Sequence, residues 1–390
     1  MLVKQKIGCL KVNENNNRKT MKITNLPFYY NSHNKGDNGG QPHILPFNLK
    51  FDDELKMFRQ ESTPELNKIL LNVYDNGSLV DGSISSLSGV HYVDKIIDFI
   101  KDHFPLESES RILEIGYGSG ILLKEFLRLG YKNIYGIEPG HHELVSGLED
   151  VLLIQDFYPS KSFVERVDLI IHILVLEHVE NPLEFIKVQA KQLEKNGKII
   201  FFVPNEEPFL NNGDCSSFIH EHFNYFTRES VSKLVKNANL FLEDISIIDG
   251  LLAITLTDTR KNNLKEMVFP QFKYDLYFVK LEKNIENIKK ILLSYEEKEI
   301  ALYVPGRALN IMCLLDIKEP RLVDDNSEIH GKYLPFFKNK VESFSTLVDN
   351  PPKVIFIWSL TFGSIIKNKC LESDRLSNTK ILTLYDLLNV

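Results

Sequence analysis

Two groups of residues in this chain have the types and spacing of a reaction centre. The first is Arg111-Ile-Leu-Glu-Ile-Gly-Tyr-Gly-Ser-Gly-Ile-Leu-Leu-Lys-Glu-Phe126, in which Gly116, Gly118 and Gly120 follow a short apolar run and precede a helical pattern. Only glycine lets the backbone pass that close to a ligand, and a glycine turn between strand and helix holds dinucleotides, phosphates and other nucleosides alike. The interval here is Gly-x-Gly-x-Gly, without the Gly-x-Gly-x-x-Gly spacing of the dinucleotide fingerprint. Glu114 stands two residues before the first glycine, and the next strand pattern, Asn133 to Ile137, ends in Glu138-Pro139. A carboxylate at that point can accept both hydroxyls of a ribose, as in NAD and S-adenosylmethionine sites. The second group is Phe218-Ile-His-Glu-His-Phe-Asn-Tyr-Phe-Thr227, where His220 and His222 flank Glu221 among aromatic residues. An imidazole titrates near neutrality and can take and return a proton. Metal ligation is the other use of such a pair. A spacing of two suits a strand rather than one helix face, and with no cysteine partners and no second ligand pair no metal is expected.

These residues need a scaffold that brings them together. From Arg111 to about Asn205 strand and helix patterns alternate, which predicts a parallel sheet with helices on both faces and a ligand at the carboxyl ends of the strands. The third strand, Val151 to Gln155, ends in Asp156-Phe157, a polar group and a ring suited to an adenine. The fourth, Ile170 to Val175, leads into Leu176-Glu-His-Val-Glu-Asn-Pro182, read as the opening of a helix. Thr227 caps a helix from Arg228 to Ala238, and residues 239 to 258 alternate as strands that close the sheet. Upstream, residues 1–20 read as a disordered polar tail and 21–75 as a small module that leans on the central domain, with helix-like patterns at Asp53 to Phe58 and Pro64 to Val73. Asp81 to Gly89 is a hydroxyl-rich loop, a ligand contact or a helix cap, before a helix from His91 to His103. The central α/β domain, with the glycine turn and the nucleoside site expected on it, runs over 76–260, a connecting helix over 261–296, and a second small α/β region over 297–390. In that last region Arg321 to Asn326 is a strand ending in carboxylates, with Asp324, Asp325 and His330 either a solvated turn or a substrate contact.

Composition narrows the class. The chain has 390 residues, 43% hydrophobic and 25% charged, with a formal net charge of −7. That balance suits two or more packed soluble domains and argues against a nonspecific nucleic-acid binder, which needs a basic surface. No run approaches the length of a membrane span and residues 1–20 lack the apolar core of a secretory signal, so a cytoplasmic protein is expected. Cys9, Cys215, Cys313 and Cys370 are scattered, which supports neither a zinc site nor a disulfide framework.

The glycine turn, Glu138, the segment Val167 to Pro182 and Gly197-Lys-Ile-Ile-Phe-Phe-Val-Pro-Asn205 together resemble the motif series of class I S-adenosylmethionine-dependent methyltransferases. The order of the whole chain further resembles the nucleotide-sugar C-methyltransferase family, on Ile219-His-Glu-His222, His178 and Val323-Asp-Asp-Asn-Ser-Glu-Ile-His-Gly-Lys-Tyr-Leu-Pro335. The resemblance implies an α/β fold, a class I Rossmann-like sheet with a small N-terminal module and a C-terminal Rossmann-like α/β domain. It implies S-adenosylmethionine as methyl donor, held by Glu114, Gly116, Tyr117, Gly118, Gly120, Glu138, Pro139, Asp156, Phe157 and Leu174. It implies His222 as general base, Glu221 orienting or tuning it and His178 assisting, with His220, Tyr225, Asn205 and Asp325 toward a small-molecule acceptor, a sugar or nucleotide-sugar. A monomer or homodimer, without nucleic-acid or membrane partner, completes the expectation; O- or N-methylation of another metabolite, or a non-catalytic cofactor-binding protein, are its alternatives. The chain departs from that family in having no four-cysteine N-terminal zinc module, in Ile219 for a tyrosine, in a tyrosine-free Val80 to Ser86, and in a glycine turn reduced to Val304-Pro-Gly-Arg307.

Overall fold

The structure, a computed structural model, describes residues 10–15, 18–28, 44–75, 87–105, 107–140, 146–259, 267–360 and 362–388. Tyr29, Tyr30, the loop at 34–40, Cys9 and residues 80–86 lie outside the described residues, and the end of the hydroxyl-rich loop expected over Asp81 to Gly89 is helical, within Leu87–His103. Two compact units share the chain. One comprises Asp52–Asn205 and Glu221–Phe272; the other comprises Met1–Phe51, Glu206–His220 and Lys273–Val390. These limits cut the chain differently from the boundaries expected at 75, 260 and 296. The N-terminal strands up to Phe51 and the segment after Asn205 are grouped with the C-terminal region, and the boundary falls inside the His-Glu-His run.

The first unit is built on a seven-stranded sheet: β1 (Arg111–Ile115), β2 (Asn133–Glu138), β3 (Leu152–Gln155), β4 (Val167–Ile173), β5 (Leu193–Pro204), β6 (Phe241–Ile248) and β7 (Leu251–Thr257). The spatial order is β6-β7-β5-β4-β1-β2-β3. Strands β1 to β5 are parallel and β7 is antiparallel to both β5 and β6. Parallel strands are covered on both faces, which is why they read as near-continuous apolar runs. Alternate side chains serve different layers: Ile112, Leu169, Ile171 and Phe202 enter one core, and Leu113, Ile115, Ile170 and Phe201 the other. Each such side chain, fully buried, contributes about 1.5–3 kcal/mol of transfer free energy. β6 and β7 are joined by Asp249-Gly250, with φ of 48° and 86°. Two consecutive left-handed residues make the turn whose twist matches a two-stranded ribbon.

Order reverses at β1, whose neighbours are β2 on one side and β4 on the other. Crevices at such a reversal, beyond the carboxyl ends of the strands, are where open α/β sheets take their ligands.

Three local expectations are corrected. Asp53 to Phe58 is a turn followed by a strand, Met57–Gln60, rather than a helix. The Asp52 carboxylate accepts from the amides of Glu54 and Leu55, each at 3.0 Å, and so closes the turn before a helix can propagate. Leu176 to His178 forms one 3-10 turn, and the helix begins only at Pro182, capped by the Asn181 side chain on the Glu184 amide at 3.2 Å. Of the tail expected to be disordered, the described residues pair instead as antiparallel strands, Leu10–Asn15 with Arg18–Pro27, because a ladder joins main-chain groups whatever the polarity of its side chains. Thr227 does cap Arg228–Asn237, in a reciprocal box with Ser230.

In the second unit, β8 (Ile300–Tyr303), β9 (Arg321–Val323), β10 (Val341–Glu342), β11 (Val354–Ile357) and β12 (Lys380–Thr383) form a parallel sheet in the order β10-β9-β8-β11-β12. The strand Arg18–Pro27 lies against the helix Pro305–Leu315 of the same unit. Cys215, Cys313 and Cys370 are buried free thiols. Among the described residues no helix is long and apolar enough to cross a membrane.

Candidate active site

β1 delivers the chain into the glycine turn. Gly116 has φ of +74°, its amide donates to the Ile137 carbonyl at 2.7 Å, and a Cβ built on it would meet Val175 Cγ2 at 2.5 Å. Neither the backbone angle nor the space admits a side chain. Gly118 and Gly120 also take positive φ, 48° and 71°, and Gly120 opens the helix Ile121–Arg128. The turn is drawn across to the end of β2, where Glu138 Oε2 accepts from the Gly118 amide at 3.3 Å and Oε1 from the Gly140 amide at 2.9 Å. A carboxylate has about four acceptor positions, so Glu138 keeps capacity for a vicinal diol. Glu114 is buried under the turn. Burial, then the neighbouring Glu138, pushes its carboxyl well above the usual carboxylate range. When protonated it is a hydroxyl donor, and its Oε2 has no hydrogen-bond partner among the described residues.

Above these groups lies a cavity of about 490 Å³, within the range of small-molecule sites. Of the residues expected at the cofactor, Glu114, Gly116, Tyr117, Gly118, Glu138, Pro139, Phe157 and Leu174 line it. Gly120 and Asp156 do not. Gly120 serves the helix start, and the Asp156 carboxylate is taken by the Phe157 amide at 2.8 Å and the Ser160 hydroxyl at 2.7 Å. Other walls were not anticipated: Tyr158 beside Phe157, Val175, Phe185, Phe223, and Asn67, Leu70 and Leu71 from the helix Pro64–Asp75. Only the amphipathic period of that helix hinted at an inward face, and periodicity does not tell a cavity wall from a packed core.

His178, in the 3-10 turn after β4, lines the same cavity. Its Nδ1 lies 2.9 Å from the carbonyl oxygen of Glu221, which can only accept, so Nδ1 carries the proton and Nε2 the lone pair. Burial lowers this imidazole to about 4. The ring of His222 meets it edge-on, with centroids 4.9 Å apart and planes at 79°. His222 is not itself in the cavity wall. Glu221 is half-buried, and loss of hydration raises its carboxyl to about 7.

The segment that carries Glu221 and His222 is fixed to the turn by main-chain and amide contacts. The Phe223 amide donates to the Glu177 carbonyl at 2.7 Å. The Asn224 side-chain amide donates to the carbonyls of Leu176 at 3.0 Å and Val179 at 2.6 Å, while its oxygen accepts from Arg59 at 3.1 Å. Asn224–Tyr225 pairs antiparallel with Met57–Gln60, and the Gln60 side chain donates to the His222 carbonyl at 3.1 Å. One acidic neighbour escaped the sequence reading: Glu177, with its side chain 1% exposed, has Oε1 4.0 Å from His178 Nε2.

The residues expected at the acceptor are dispersed. Tyr225 is buried with its ring 6.2 Å from that of His222. Asn205 is buried at the end of β5, its amide bonded to the Gly250 carbonyl at 3.1 Å. His220 belongs to the other unit, where its Nε2 meets the Leu26 carbonyl at 3.0 Å and its ring stacks on Phe28. Burial lowers it to about 4, so it is a neutral core histidine. Asp325, also in that unit, accepts from Tyr303 at 2.7 Å and Lys369 at 2.6 Å.

Comparison with known proteins finds similarity to methyltransferases. Residues 90–244 match a family model described as a methyltransferase domain. The chain is 32% identical over 121 residues to the ubiquinone biosynthesis O-methyltransferase of Nitrosococcus oceani, covering 29% of this chain and 50% of that one. It is 24% identical over 211 residues to the enzyme of the same name from Rickettsia bellii, covering 49% and 82%. The chain thus spans about half the length of the first of these relatives. Among solved structures, an S-adenosylmethionine-dependent methyltransferase from Clostridium acetobutylicum superposes with a TM-score of 0.36 at 13% identity, covering 49% of this chain and 98% of that one. For a 1,6-didemethyltoxoflavin-N1-methyltransferase of Burkholderia thailandensis the values are 0.39, 13%, 57% and 100%. Residues 90–244 thus match a methyltransferase domain in sequence, and they hold the strand order and glycine turn of a sheet that takes a nucleoside cofactor.

Proposed function

We propose that the chain transfers a methyl group from S-adenosylmethionine to carbon on a small molecule, a nucleotide-linked keto-sugar, with His222 as the base. The observation that carries this reading is the His178–His222 pair, 4.9 Å apart, beside a cavity whose glycine turn and Glu138 suit a nucleoside. When bound, the cofactor supplies an electrophilic methyl on a sulfonium. Glu138 accepts the ribose hydroxyls, the open backbone at Gly116 admits the amino-acid end, and Phe157 with Tyr158 offers rings to the adenine. Carbon next to a ketone becomes a nucleophile only when its proton is removed. His178 donates from Nδ1 to the Glu221 carbonyl, and burial lowers it to about 4, so its remaining nitrogen is too weak a base to compete for that proton. His222 takes it, and Glu221, titrating near neutrality, tunes the charge that results.

The test is deuterium exchange into a nucleotide-linked keto-sugar in the absence of methyl donor, followed by transfer from labelled donor. Exchange at the carbon next to the ketone, lost in His222→Ala, supports the reading; label found only on oxygen or nitrogen overturns it.

A second reading, O-methylation of an apolar acceptor, draws on one observation. The side of the cavity formed by Leu70, Leu71, Val93, Ile96 and Val179 is apolar, and the relatives named above are O-methyltransferases of ubiquinone biosynthesis. The same labelled transfer, run with a catechol, separates the two.

A further inference from the structure

We propose that Glu177, His178 and His222 form a binding site for a divalent transition-metal ion, which competes with the proton for His222. The three side chains come from the turn after β4 and from the segment bound to it, and one ligand atom from each lies within 4.8 Å of the other two. Around an ion with bonds near 2.1 Å, tetrahedral ligands stand about 3.4 Å apart. No edge therefore needs to close by more than about 1.4 Å, within the reach of side-chain rotation about the Cα–Cβ bonds.

The donor set selects the ion. Two imidazoles and one carboxylate suit zinc, iron or manganese, whereas calcium and magnesium take oxygen. His178 already has the arrangement of a ligating histidine: Nδ1 donates to a main-chain carbonyl at 2.9 Å, which leaves the Nε2 lone pair toward Glu177 Oε1 at 4.0 Å. Glu177 is buried, and a divalent cation lowers the cost of holding its charge there. His178 also lines the cavity, so three protein ligands would leave a coordination position open to it, as in catalytic rather than structural sites. Coordination consumes the His222 lone pair. Where His222 is the base, as proposed above, the loaded protein has no base.

Only that kinetic consequence rests on the proposed function; the site itself does not. The experiment is titration calorimetry of chelator-stripped chain with Zn²⁺ alone, on wild type, Glu177→Gln and His222→Ala. One Zn²⁺ per chain is expected, bound at least tenfold more weakly by each variant, while S-adenosylhomocysteine affinity stays within threefold and shows that the variants are folded. One equivalent of Zn²⁺ is also expected to abolish deuterium exchange into the keto-sugar, and a chelator to restore it. No uptake, or uptake that both variants retain unchanged, overturns the site. Uptake lost in the variants with exchange unaffected keeps the site and overturns His222 as base.

Discussion

The Nδ1 of His178 and the carbonyl oxygen of Glu221 lie 2.9 Å apart, joining the turn after β4 to a segment more than forty residues on. That bond assigns the tautomer of His178 and places His222 edge-on to it. His222→Ala should cut methyl transfer about 10²–10⁴-fold, with S-adenosylhomocysteine affinity unchanged. His178→Gln, which can still donate to the Glu221 carbonyl, should retain more activity than His178→Ala. Steady-state rates beside calorimetry check both; equal losses in the two His178 variants would remove the orienting role.

Asn224 holds this joint. Its loss removes one donor from the buried Leu176 carbonyl, which keeps the Val179 amide, one from the half-buried Val179 carbonyl, and the acceptor of the Arg59 side chain. Asn224→Ala should destabilise by about 2–4 kcal/mol, seen as a lower urea midpoint, and should reduce turnover more than cofactor affinity. An unchanged midpoint would contradict the clamp.

At Gly116 two penalties add. Gly116→Ala imposes a left-handed φ of +74° on a residue with a Cβ and sets that Cβ against Val175. A loss of about 1–3 kcal/mol is expected. Val175→Ala in the same chain should recover the steric part and leave the conformational part, which denaturation of the single and double variants resolves.

His172 is buried in β4 and stacked on Phe201, with ring centroids 5.0 Å apart. Burial lowers it to about 3 from an ordinary 6.5. The folded chain keeps it neutral where the unfolded chain binds a proton, so its contribution is full above pH 6.5 and is lost as pH falls toward 3. Stability relative to His172→Phe should be flat above pH 6.5 and then shift toward the variant by up to about 1.4 kcal/mol per pH unit. Urea unfolding at several pH values measures it, and a difference independent of pH would contradict the burial argument.

How much of this was legible differs by residue, for physical reasons. The strand, glycine turn and helix around Gly116 are local, and so were readable from a dozen residues. Glu177 drew no notice, because what makes it chemical is a neighbour 45 residues later that only the packed turn supplies. His220 misled for the converse reason: its sequence neighbours are chemical, but its ring is spent on the Leu26 carbonyl and Phe28. The turn at Asp52 defeated a helical pattern with two hydrogen bonds that composition does not reveal.

The central claim is that Glu138 and the glycine turn hold a nucleoside. Titration calorimetry with S-adenosylhomocysteine tests it most directly, on wild type and on Glu138→Gln, which keeps the shape and removes the charge. One ligand per wild-type chain is predicted, weakened roughly tenfold or more in the variant, as befits hydrogen bonds to a charged acceptor. No binding by wild type, or equal affinity in the two proteins, would contradict it.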